Sequence, residues 1–193
     1  MKKILLTVLL ASAMASASAA TRQYDIIFAP EAVGASGTGT GTAIWDDVAH
    51  TLALQASFSG LSLAGSGTTI SHIHLPTGLP NTGTAGVVLT PGTLAGFPVG
   101  VRGGEYSITL DLAATGTYPA AFVNNNGGNA AGAEAAVIAA FDAGRAYWNI
   151  HTGAFGSGEI RGFLTAVPEP STVALAGLGM AAVAARLWRR RRI

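Results

Sequence analysis

Apolar and polar residues alternate one by one along several stretches of the chain. Leu52, Leu54, Ala56 and Phe58 take every second place between Thr51, Ala53, Gln55 and Ser57. Tyr106, Ile108, Leu110 and Leu112 do the same against Glu105, Ser107, Thr109 and Asp111, and Ile160, Gly162 and Leu164 oppose Glu159, Arg161 and Phe163. A period of two sends successive side chains to opposite faces of a strand, so these are strands with one buried and one wet face. That pattern favours antiparallel sheets, because parallel strands are apolar on both faces. Asp46-Asp47-Val48-Ala49-His50 separates two such runs and predicts a hairpin connection. One segment changes period: Ala133 to Ala143 is rich in helix formers, and Val137, Ile138 and Phe141 give it one apolar stripe. Gly144 predicts its end, and Asn124 to Asn129 a polar loop before it. Closely spaced strands with a single inserted helix predict a mainly β protein, an antiparallel β-sandwich with one short helix.

Composition narrows the class. The chain has 193 residues, 49% of them hydrophobic, which suits one domain with a real core and argues against disorder. With no cysteine, a disulfide scaffold, a zinc ribbon and a catalytic thiol are all excluded. The net charge of +1 is unevenly spread. Lys2 and Lys3 lie at one end, and Arg186, Arg189, Arg190, Arg191 and Arg192 at the other. Between Ala20 and Ala166 only Arg22, Arg102, Arg145 and Arg161 face nine acids, a net of −5. An acidic body repels phosphate backbones, so no nucleic-acid partner is expected. The glycines of Gly37-Thr38-Gly39-Thr40-Gly41 form no phosphate loop, because no βαβ pattern surrounds them, and no serine sits in a nucleophile elbow.

Both ends read as addresses. Residues 1–19 combine the two lysines, a short apolar core from Ile4 to Leu10 and Ala17-Ser18-Ala19, the small-x-small pattern of a cleaved signal peptide. At the other end Pro168-Glu169-Pro170 precedes an uncharged run from Ser171 to Ala185, then the arginines. Fifteen residues make about 22 Å of helix, short of the roughly 30 Å hydrocarbon core, but Leu187 and Trp188 extend it. A C-terminal transmembrane helix with its arginines in the cytoplasm is expected. Residues 167–193 resemble the PEP-CTERM sorting signal of Gram-negative bacteria. The resemblance implies processing by an exosortase, transient inner-membrane anchoring, release to the cell surface or medium, and a host that makes exopolysaccharide.

The candidate chemistry lies in histidines. On a strand, His72 and His74 share one face while Ile73 seeks the core; likewise Tyr147, Asn149 and His151 share a face opposite Trp148 and Ile150. Three imidazoles, His72, His74 and His151, would then converge on the outside of a sheet. Neutral imidazoles bind copper, zinc or nickel, and three leave a coordination position open. The same residues could instead bond loop carbonyls and Thr152 and simply fix the glycine-rich loops. Asn149, Glu159 and Arg161 are the candidates to orient the rings. Glu159 and Arg161 read equally well as an exposed ion pair of little energetic worth. His50, in the hairpin, is expected to be solvated.

Ser71-His72-Ile73-His74, Asn149-Ile150-His151-Thr152 and Gly158-Glu159-Ile160-Arg161-Gly162 resemble the signature blocks of the CHRD domain, as do Gly41-Thr42-Ala43 and Phe58-Ser59-Gly60-Leu61. Leu75 and Phe163 depart from that pattern, and neither removes a histidine. The resemblance, over about residues 23–165, implies a domain at 20–166 with an immunoglobulin-like or superoxide-dismutase-like sandwich. It does not imply dismutase activity, since only three plausible ligands exist. Two functions follow: a non-enzymatic surface module for exopolysaccharide or matrix proteins, or a copper- or zinc-binding protein. The carboxylates are too scattered to define a hydrolase.

Overall fold

The alternating runs become strands in a computed structural model of the chain, which describes residues 21–168, 178–180 and 188. The strands are β1 (Thr21–Pro30), β2 (Thr38–Asp46), β3 (Thr51–Ser59), β4 (Thr68–His74), β5 (Val87–Leu89), β6 (Gly104–Asp111), β7 (Tyr147–Thr152) and β8 (Ile160–Ala166). They form one sheet in the order β5-β4-β7-β8-β1-β2-β3-β6, with every neighbouring pair antiparallel. The hairpin expected at residues 46–50 joins β2 to β3.

The sheet curls so that its two arms face each other. Trp148 of β7 packs 5.5 Å from Phe28 of β1 and 6.3 Å from Tyr106 of β6, although four strands lie between β7 and β6 in the sheet order. The enclosed space holds Tyr24, Ile26, Leu52, Leu54, Ile73 and Trp148, each no more than 1% exposed. Gly41 explains part of the closure: a Cβ there would lie 3.2 Å from the Phe28 ring and 3.5 Å from Trp148. In β2 the glycines thus face inward and the threonines outward, which gives the Gly-Thr repeat a packing role.

Helix α1 (Ala120–Asn125) and helix α2 (Ala130–Asp142) connect β6 to β7. The single predicted helix is α2, three residues longer at its start than expected. The loop read over Asn124 to Asn129 is shorter than that, because α1 runs through Asn125. Asn129 caps α2 by accepting the Gly132 N–H at 2.9 Å. Val137, Ile138 and Phe141 are buried, and Phe141 meets Tyr24 edge-on at 5.2 Å. Buried Glu134 accepts from the Trp45 indole at 2.7 Å and pairs with His50 at 2.8 Å, so His50 is half exposed but bonded rather than only solvated.

The expected signal peptide lies outside the described residues, as does the expected membrane helix apart from residues 178–180 and 188. Among the described residues no helix is long and apolar enough to cross a membrane.

Candidate metal centre

Register brings the histidine blocks together. β4 and β7 pair with His72 beside Asn149, Ile73 beside Trp148 and His74 beside Tyr147. Ile73 and Trp148 are fully buried on the core face. His72, His74, Tyr147, Asn149 and His151 occupy the other face, in the parity that the sequence predicts. That face is not wet, however. The segment between β4 and β6 and the turn after β7 roof it, leaving His72 and His151 6% exposed and Asn149 2%.

The roof supplies carbonyls. His74 Nδ1 lies 2.9 Å from Ala85 O, His151 Nδ1 2.9 Å from Gly156 O, and His72 Nε2 is bonded to Gly92 O. These are the loop-carbonyl bonds of a structural histidine, and they engage only the outer nitrogens. The inner nitrogens turn to one another: His72 Nδ1 is 3.1 Å from His151 Nε2, and one ligand atom from each of the three rings lies within 4.8 Å of the others. His74 Nε2 and His151 Nε2 stand 3.1 and 3.0 Å from Asn149 Oδ1. His74 stacks on Tyr147 at 4.7 Å with nearly parallel planes.

Electrostatics favours uncharged rings at His72 and His151. Burial lowers the His72 pKa, and the neighbouring His151 lowers it further; the Gly92 carbonyl works in the opposite sense. Burial also lowers that of His151, against a smaller upward pull from the Gly156 carbonyl. A neutral imidazole carries one N–H. With that proton donated to a roof carbonyl, the inner nitrogen presents a lone pair, the form that binds d-block cations. The three residues therefore fit copper or zinc.

The other predicted residues are placed differently. Glu159 is fully buried but does not reach an imidazole. It accepts from Thr152 Oγ1 at 2.6 Å and Ser62 N at 2.9 Å, with Ser36 N and Oγ at 3.4 Å. Arg161 pairs with Glu31 at 3.3 Å, donates to Gly83 O at 3.0 Å, and lies over the Tyr147 and Phe163 rings. Asn149 alone of these three touches the histidines. Glu31 joins the network unannounced: it lies in the β1–β2 connection, 118 residues before Asn149, and nothing in its local sequence marks it.

The CHRD domain family model matches residues 16–164, and a PEP-CTERM protein-sorting motif matches residues 166–192. The chain therefore belongs to the CHRD domain family and carries a sorting signal that marks an exported, surface-sorted protein processed by an exosortase. Comparison with the curated proteins and with the solved structures gives no match.

Proposed function

We propose that this exported CHRD protein holds a copper or zinc ion on His72, His74 and His151. The observation that carries the reading is the opposed use of the two nitrogens of each ring: outer nitrogens on roof carbonyls, inner nitrogens converging within 4.8 Å. A bound cation would add a cross-link between β4 and β7 and stabilise the fold by mass action. The test is titration of Cu(II) and Zn(II) against the wild type and a His72→Ala, His74→Ala double variant. The double variant is expected to lose at least 100-fold in affinity; equal uptake by both proteins overturns the reading. The same proposal includes cleavage of residues 1–19, a body at 20–166 whose curled sheet is a superoxide-dismutase-like or immunoglobulin-like sandwich, and a transient C-terminal membrane span.

A second reading rests on a separate surface. A shallow trough of ≈ 680 Å³ crosses the outer face of β1, β2, β3 and β6, lined by Asp25, Thr40, Thr42, Gln55, Ser57 and Glu105 among others. Hydroxyls, an amide and carboxylates in rows across a sheet suit the hydroxyls of a polysaccharide chain, which supports a non-enzymatic matrix role. Retention of the intact protein on the host's own exopolysaccharide, and its loss in Gln55→Ala, Ser57→Ala, is the expected result; no retention of the intact protein removes this reading.

A further inference from the structure

Resting on that metal-binding reading, we propose that the site is closed by a fourth donor, Asn149 Oδ1, and that Glu31 sets this oxygen toward the metal. The proposal begins with an arrangement that four neutral groups do not explain. In neutral rings whose outer nitrogens donate to the roof carbonyls, His72 Nδ1, His74 Nε2 and His151 Nε2 are all acceptors. Asn149 Oδ1, at 3.0 Å from His151 Nε2 and 3.1 Å from His74 Nε2, is an acceptor too. Lone pairs this close repel unless something positive lies between them.

Turning the amide over would put its NH2 against the imidazoles and relieve the conflict. Glu31 opposes that. Its Oε2 lies 3.4 Å from Asn149 Nδ2, and a carboxylate can only accept, so a turned amide would set oxygen against oxygen. Arg161 holds the carboxylate by its other oxygen, 3.3 Å from Oε1. Gly158 permits the approach: a Cβ there would fall 2.3 Å from Glu31 Oε2 and 2.8 Å from Asn149 Nδ2, at a φ of +123°.

The spacing suits a small tetrahedral ion. Ligands at about 2.0–2.1 Å from zinc stand roughly 3.3 Å apart at tetrahedral angles. Three of the six edges of this donor cluster measure 3.0, 3.1 and 3.1 Å, while the imidazole ligand atoms spread over up to 4.8 Å, so the cluster contracts when an ion binds. An N3O set, all its donors uncharged, places a divalent cation under a roof with the Glu31 charge one hydrogen bond behind the oxygen. Such a site retains its ion and has no vacant position, unlike the open three-histidine site that the sequence suggests.

The test is Zn(II) affinity by chelator competition on the full chain in detergent, together with the visible spectrum of the Co(II) form. Glu31→Gln is expected to weaken Zn(II) at least 10-fold. Asn149→Leu is expected to weaken it by at least as much and to shift the Co(II) bands. The His72→Ala, His74→Ala variant separates the two claims. If it binds Zn(II) like the wild type, the three-histidine reading fails. If it loses Zn(II) while Glu31→Gln and Asn149→Leu stay within twofold of the wild type with unchanged Co(II) bands, the fourth donor is overturned and the histidine site stands. Should Asn149→Leu fail to fold, Glu31→Gln decides alone: a 10-fold loss supports the proposal and an unchanged affinity overturns it.

Discussion

Glu159 shows how far one residue can depart from its strand pattern. Alternation along residues 159–164 places it on the wet face with Arg161, yet it is fully buried and Arg161 pairs with Glu31. The reason is local: β8 begins at Ile160, so Glu159 still belongs to the turn and its side chain runs under the loops at Ser36 and Ser62. Its carboxylate ties three segments together through hydroxyl and backbone N–H donors. Glu159→Ala leaves the Thr152 hydroxyl and the Ser62 N–H unmet in a buried space, and we expect a loss of about 3 kcal/mol in urea unfolding. A loss below about 1 kcal/mol would show those donors to be rehydrated at little cost. The histidines were the legible residues, because a period of two decides which side chains share a face whatever covers that face. What the period does not carry is the cover itself. Ala85, Gly92 and Gly156 contribute only carbonyls, which any residue has, and Glu31 arrives from a distant loop.

At the scale of elements, α2 could be read and α1 could not. The stripe Val137, Ile138, Phe141 and the stop at Gly144, whose φ is +63°, are sequence signals. α1 ends in Asn124-Asn125, residues that favour caps and turns over helix interiors, and is only six residues long. It forms with Val123 buried, so tertiary packing overrides weak propensity. Asn129 marks the start of α2 by accepting the Gly132 N–H. Asn129→Ala is expected to cost about 1 kcal/mol, read as a lower urea midpoint with an unchanged slope. The helix is also pinned through Glu134 to Trp45 and His50, and through Asp142 to Tyr24 and Arg22, so a lost cap frays its start without releasing it from the sheet.

For the whole molecule, the antiparallel β class followed from periodicity, whereas the curl did not. Contact between Trp148 and Tyr106 depends on how twist accumulates over the intervening strands, and no single strand records that. Burial also sets how the protein meets alkali. All four tyrosines, Tyr24, Tyr106, Tyr118 and Tyr147, have pKa values raised above the ordinary 10.0, burial being the first cause in each, and Tyr106 is pushed up to about 12. Above pH 10 the unfolded chain gives up protons that the folded chain keeps. Their contribution is therefore intact below pH 10 and lost as pH rises past it, by up to about 1.4 kcal/mol per pH unit for each tyrosine. The expected record is a 295 nm absorbance that stays flat near pH 10 while the protein is folded, and a urea midpoint that falls over the same range. Phenolate absorbance rising near pH 10 with the fold intact would contradict it. The junction with the sorting tail has a further consequence. β8 ends at Ala166, where the sorting motif starts, and the Val167 N–H still donates to Gln23 O at 2.9 Å. Sheet pairing thus runs one residue into the matched motif, and β1 and β8 lie side by side and antiparallel in the middle of the sheet, so Thr21 and Ala166 leave the fold at the same end of that pair. Removal of the chain beyond Val167 therefore leaves every β1–β8 pair of the body intact.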